Sequence, residues 1–188
     1  MSLRKILTAL MVVVLTAPVA WAGSLADVTV DDEVTVSGST LHLNGMGLRK
    51  KLWVKVYVAG LYLEEATHDG AAAVNSAGKK RIVMHFLTNK ATKKKMDAAW
   101  AEGFEANSPG EYKALEGRVK TFMDYFGDMK VGDVIECTVL PGEGTLVTLN
   151  GENKGTIEGD DFAPALLRVW LGSKPPAEEL KNGLLGAG

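Results

Sequence analysis

Residues 52–63 constrain the fold more than any other stretch of the chain. They read LWVKVYVAGLYL, β-branched and aromatic almost throughout, with Lys55 the one charge. A run of that length and composition predicts a long, mostly buried strand, which needs a sheet around it and a layer to cover it. Strict alternation would put Trp53, Lys55, Tyr57 and Ala59 on one face, with Val54, Val56, Val58 and Tyr62 on the other.

Shorter strands surround it. Val28–Val30 and Val34–Val36 flank the acidic turn Asp31-Asp32-Glu33, and Leu41–Leu43 leads into a predicted turn at Asn44-Gly45-Met46-Gly47. Arg81–Leu87 is a further strand. A meander over Val134–Leu140, Thr145–Leu149 and Lys154–Glu158 is joined by Pro141-Gly142-Glu143-Gly144 and by Asn150-Gly151. Asn-Gly is a strong hairpin signal, because both central residues of a type I′ turn need positive φ.

The helices are grouped apart from the strands. A short Ala-rich helix is expected near Asp69–Asn75. Met96, Ala99, Trp100 and Phe104 recur at helical spacing and stop at Asn107. Ser108-Pro109-Gly110-Glu111 reads as a capping box, with Ser at N-cap, Pro at N1 and Glu at N3. The helix it opens carries Tyr112, Leu115, Val119, Phe122, Met123 and Phe126 as one apolar stripe ending at Gly127. Asp160 or Asp161 caps a fourth helix through Phe162, Leu166, Val169 and Trp170. A short amphipathic helix through Leu180 and Leu184 closes the chain. Segregated strands and helices predict an α+β fold, an antiparallel sheet covered on one face by a layer of helices.

Residues 1–22 have the pattern of a cleavable signal peptide. Arg4 and Lys5 precede a charge-free apolar stretch over 6–20, and Ala20-Trp21-Ala22 offers small residues at −3 and −1. The stretch is shorter than the ~20 residues that span a hydrocarbon core. Cleavage would leave one domain over 23–188, without a membrane span, in a periplasm or outside the cell. It would also take the formal net charge from −2 to −4. The absence of a basic excess argues against nucleic-acid binding. Cys137, the single cysteine, excludes an intramolecular disulfide framework and any cysteine-based zinc site.

No catalytic, metal-binding or cofactor signature is present. His42, His68 and His85 are far apart, there is no GxSxG elbow or P-loop, and Gly45-Met46-Gly47 lacks the third glycine of a dinucleotide fingerprint. Cys137 reads as a buried inert thiol and His85 as a half-buried strand residue. Three features could carry chemistry. Arg49 is either a solvated strand end or a guanidinium fork turned inward to hold a carboxylate or enolate; the local sequence alone favours the former. Tyr57 could join it, but along one continuous strand the two would stand ~26 Å apart. A shared site therefore requires a bend near Lys50-Lys51. Lys93-Lys94-Lys95 opens a helix against its dipole, as a solvated face or as an anion-attracting rim.

Gly47-Leu48-Arg49 and Lys55-Val56-Tyr57-Val58-Ala59-Gly60-Leu61-Tyr62-Leu63 resemble the G-x-R and K-x-x-x-x-G-x-Y-L segments of the chalcone isomerase-like superfamily. The stretch Leu166-Leu167-Arg168-Val169-Trp170-Leu171-Gly172, with Pro175 and Leu184-Leu185-Gly186, is similar to its secreted bacterial branch. The resemblance implies an apolar cleft between sheet and helices. It also implies that Arg49 stabilises an enolate, as in the plant enzymes, or holds a carboxylate head together with a tyrosine, as in the fatty-acid binders. The position after Lys55-Val56 is Thr in the plant enzymes and Tyr57 here, as in the fatty-acid binders. The tyrosine that the enzymes place after the strand matching Arg81–Leu87 is missing: Thr88, Asn89 and Thr92 stand there, and no tyrosine lies between Leu87 and Tyr112.

With that resemblance the inward reading of Arg49 becomes the favoured one. The expectation is a non-enzymatic binder of a small amphipathic, fatty-acid-like carboxylate, with Arg49 and Tyr57 as ligand-binding residues and with no catalytic residue, metal or cofactor. The alternatives are an isomerase or lyase acting on a conjugated ketone, and a structural protein of the cell envelope whose cleft is filled by its own side chains.

Overall fold

The computed structural model describes residues 22–187. Apart from Ala22, the leader expected over residues 1–22 lies outside the described residues. Strands β1 (Ala22–Leu25) and β2 (Val28–Asp31) form a small hairpin of their own. The remaining strands make one seven-stranded sheet in sequence order, every neighbouring pair antiparallel. They are β3 (Glu33–Val36), β4 (Ser39–Lys51), β5 (Val54–Leu63), β6 (Lys80–Phe86), β7 (Val134–Leu140), β8 (Gly144–Leu149) and β9 (Glu152–Ile157). The β8–β9 turn is the one that Asn150-Gly151 announces, with φ of 54° and 79° at the two residues.

The helices lie on one face of this sheet. They are α1 (Gly70–Asn75), α2 (Lys93–Asn107), α3 (Pro109–Asp124), α4 (Phe162–Leu171) and α5 (Glu178–Leu184). Helix α4 is apolar nearly all round, with eight of its ten residues buried, so it forms the middle of the core rather than a lid on it. Around it Trp100 meets Phe122 and Trp170 edge to face, at centroid distances of 5.0 and 5.4 Å. The fold is α+β with an antiparallel sheet, as the segregation of elements predicts. The far face is not bare: hairpin β1–β2 covers part of it, with Val30, Val36, Leu41, Tyr62 and Val83 in a second, smaller core. The Tyr62 hydroxyl ties the hairpin down by donating to the Asp31 carbonyl at 2.8 Å.

Two caps differ from expectation because a stronger partner competes for them. Ser108 and Glu111 do flank the start of α3, but neither caps it. The Ser108 hydroxyl accepts from the Arg168 guanidinium at 2.9 Å, and Glu111 pairs with the same guanidinium at 3.2 Å. Asp161 precedes α4 and instead forms a bidentate pair with Arg118, both contacts at 2.7 Å.

The course of β4 and β5 corrects two expectations. Asn44-Gly45-Met46-Gly47 is not a turn but the middle of the thirteen-residue β4. Its glycines are there for packing. A Cβ on Gly47 would run into the Leu180 carbonyl, and one on Gly45 into the Gly183 carbonyl, so α5 lies with its backbone flush on the strand. The buried strand does not begin at Leu52. Leu52 and Trp53 are the two-residue turn between β4 and β5, 79% and 85% exposed. The chain therefore reverses just beyond Lys50-Lys51.

Candidate functional site

The reversal at Leu52-Trp53 brings Arg49 and Tyr57 together. They are direct partners in the β4–β5 ladder, and opposed residues of an antiparallel pair point to the same side. Next to them the ladder slips: Arg49 faces Tyr57 while Lys50 faces Lys55, leaving Val56 as an extra residue on β5. Such a bulge inverts the alternation on one side of it. Val54, Val56 and Tyr57 consequently all line the same hollow, whereas Lys55 is exposed opposite Lys50. The expected grouping of Lys55 with Tyr57, and of Val54 and Val56 with Val58, fails for this reason.

The hollow is a cavity of about 600 Å³ between the sheet and the helices, within the usual range for small-molecule sites. Its apolar wall includes Val54, Val56, Met84, Met96, Trp100 and Val169. Gly103 keeps α2 close to α4, since a Cβ there would sit 2.7 Å from the Val169 side chain. The polar lining is strongly one-signed: Arg49, Lys51, Lys90, Lys95 and Lys174 contribute five cations against the single carboxylate of Glu102. Among the described residues, none of these five cations makes an ion pair. The Arg49 guanidinium donates only to the Lys50 carbonyl and retains its remaining donors.

Tyr57 is buried and held from behind. Its hydroxyl oxygen accepts from Trp170 Nε1 at 3.1 Å, and its ring tilts against Phe86 at 5.7 Å. Burial pushes its pKa up to about 12, against smaller downward pulls from the Trp170 hydrogen bond and the Arg49 charge. The hydroxyl therefore stays protonated at neutral pH. Because it accepts from Trp170, its own proton remains available to an acceptor in the cavity. The result is a neutral donor and a cationic fork on one apolar wall, an arrangement suited to a carboxylate or an enolate oxygen.

The other residues singled out in the sequence divide cleanly. Lys95 stands on the cavity lining, whereas Lys93 is turned to Asp97 at 3.1 Å and its backbone N–H is capped by Asp128 at 2.7 Å. Thr88 reaches the cavity, and its hydroxyl accepts from the Lys90 N–H at 3.2 Å. Cys137 is buried, its thiol pKa raised by burial, and it takes no part. His85 is half-buried beside Arg81 and Glu136 in a shallow depression away from the cavity, and burial lowers its pKa. Among the described residues no group of three or more His, Cys, Asp or Glu side chains could hold a metal ion.

Sequence reasoning missed the roles of Trp170 and Trp100. Trp170 carried a signal only as part of an apolar stripe, and nothing along the chain links it to a tyrosine 113 positions away. Trp100 has its indole N–H buried without a hydrogen-bond partner among the described residues, and its side chain lines the cavity.

A family model described as chalcone isomerase-like matches residues 22–186, nearly the whole described chain. The chain belongs to the chalcone isomerase-like family. Among solved structures it is similar to a fatty-acid binding protein of Arabidopsis thaliana, at 15% identity and a TM-score of 0.68. The likeness covers 88% of this chain and 96% of the plant protein. At that identity it speaks for a shared chalcone isomerase-like fold. The sequence matches no curated protein.

Proposed function

We propose that the chain is a non-enzymatic binder of a small amphipathic carboxylate of fatty-acid type, exported by its N-terminal leader and acting in a periplasm or outside the cell as one domain over 23–188. On this reading it belongs to the secreted bacterial branch of the family. The carrying observation is the opposition of Arg49 and Tyr57 on the wall of a 600 Å³ apolar cavity with an excess of unpaired cations. Arg49 neutralises the head group, Tyr57 donates a hydrogen bond to it, and the tail lies along Val54, Val56, Met84 and Met96. The plant protein of like fold is named for fatty-acid binding, which supports the same ligand class.

The isomerase alternative has less support. The tyrosine that the family's enzymes carry after the strand matching β6 is replaced here by Thr88, Asn89 and Thr92, and among the described residues Tyr57 is the one tyrosine on the cavity lining. The envelope-protein alternative supposes a cleft filled by side chains, which the size of the cavity disfavours.

The test is native mass spectrometry of the purified protein, followed by calorimetric titration with a saturated long-chain carboxylate. A charge-assisted hydrogen bond contributes ~1.5–3 kcal/mol, so Arg49→Gln should weaken binding about ten- to a hundredfold. The methyl ester of the same acid should be much less sensitive to that change. Equal affinities of wild type and Arg49→Gln for the free acid would refute the reading.

A further inference from the structure

The β4–β5 turn violates the chemistry of the turn it makes. A two-residue hairpin loop with positive φ at its first position strongly prefers glycine there. Here that position is Leu52, at φ 55°, followed by Trp53. Leucine in the left-handed region is strained, and residues held this way cluster at functional sites. Leu52 and Trp53 are also the two most exposed large hydrophobic residues among the described ones. The third, Val131, is 61% exposed and lies in the β6–β7 connection. Strand register puts that connection at the same end of the sheet, because Tyr57 opposes Phe86 and His85 opposes Val134.

The charge along the hairpin itself has one sign. The sequence contains no Asp or Glu between Glu33 and Glu64, while Arg49, Lys50, Lys51 and Lys55 bracket the turn. The chain as a whole is net negative. Lys51 and Leu52 line the cavity as well, so the tip is part of its mouth. We infer that this hairpin tip docks the protein on an anionic lipid bilayer, with Leu52 and Trp53 entering the interface and Lys50 and Lys55 facing the phosphates. An exposed tryptophan beside lysines is the composition favoured at the bilayer interface. Two projecting side chains are too few for the ~800 Å² per partner of a standard protein interface. A membrane needs no matching surface. Docking would set the cavity mouth against the pool of acyl chains; it goes beyond the carboxylate reading and fails separately from it.

Brominated-lipid quenching of tryptophan fluorescence tests the proposal, using vesicles with roughly one-third phosphatidylglycerol in phosphatidylcholine. The full chain is compared with Trp53→Ala, so any contribution of the apolar 6–20 stretch is common to both. Trp100 and Trp170 are buried and Trp21 is common to both proteins, so the difference between them reads Trp53. The wild type should show a blue shift and quenching clearly beyond those of Trp53→Ala. Lys50→Gln with Lys55→Gln should raise the lipid needed for half-binding roughly tenfold or more, at about fivefold per lysine. Salt at about 0.5 M should act in the same direction.

Identical quenching of wild type and Trp53→Ala would overturn the proposal. So would a Trp53 signal that follows protein concentration rather than lipid, since a second copy would then occupy the tip. Neither Trp53 nor Lys50 nor Lys55 lines the cavity, so these variants should keep carboxylate binding in lipid-free buffer. A protein that docks on vesicles but binds no carboxylate would retire the ligand reading alone.

Discussion

Arg49 and Tyr57 are eight positions apart in the chain and directly opposed in the sheet, because the strand doubles back at Leu52-Trp53. Their pairing supplies a cationic fork and a neutral hydroxyl donor on one wall of the cavity. Trp170, donating to the Tyr57 oxygen from the far side, fixes which way that hydroxyl can give its proton.

Tyr57→Phe should separate the two roles of this hydroxyl. Without its oxygen the buried Trp170 N–H loses its acceptor, which costs about 1–3 kcal/mol and should appear as a lower urea midpoint. Carboxylate affinity should fall as well, but less than in Arg49→Gln, because a neutral donor is lost rather than a charged one. Midpoint and titration measured on the same preparation check both.

Stability should decline in alkali, with Tyr57 a main cause. Its pKa is raised from 10.0 to about 12, so between those values the folded state holds a proton that the unfolded chain gives up. The stabilisation is complete below pH 10 and is lost as the pH rises through 12. For Tyr57 alone it amounts to about 2–3 kcal/mol. Tyr62, also raised to about 12, acts in the same direction. Urea midpoints measured from pH 8 upward should fall, and should fall less steeply in Tyr57→Phe.

Gly47→Ala and Gly117→Ala should move stability in opposite directions. A methyl on Gly47 meets the Leu180 carbonyl and forces α5 off the strand, a form of overpacking that costs about 1–3 kcal/mol. Gly117 lies in α3 with nothing within 4 Å of a new Cβ. Alanine there should stabilise by up to about 1 kcal/mol. Thermal melts of the two variants against wild type suffice.

Affinity should climb with the length of the acyl tail. Each buried methylene contributes ~0.8 kcal/mol, close to fourfold in affinity, until the cavity is full. Calorimetric titration along a series of saturated carboxylates should give a straight line that then breaks. A flat series would mean that the tail stays outside.

Export should leave Gly23 as the first residue. Intact mass of protein recovered from outside the cytoplasm checks this, with the loss of residues 1–22 expected.

The sequence revealed the parts of this fold whose signals are local. Asn150-Gly151 announces its hairpin, the Ala-rich helix expected near Asp69–Asn75 is α1, and the stripes of α2 and α3 face the core. What it concealed depends on partners remote in the chain. Gly45 and Gly47 look like a turn until α5 is seen lying on them, and Leu52-Trp53 looks like strand because it carries none of the residues a tight turn prefers. Ser108 and Asp161 are read as caps because nothing nearby shows the arginines that claim them. The candidate site was half legible: Arg49 and Tyr57 were visible as residue types, but the turn and the bulge at Val56 that join them were not.

The inward side of β4 changes within one step from glycine to cation: Gly45 and Gly47, then Arg49 and Lys51. Where side chains are missing, a helix closes flush over the strand; where long basic ones begin, the space is left hollow. That step sets where the hollow begins. Shifting it by two residues along the strand would lengthen or shorten the chamber while the rest of the architecture stays as it is, so two substitutions on a single strand would reset the size of molecule that fits.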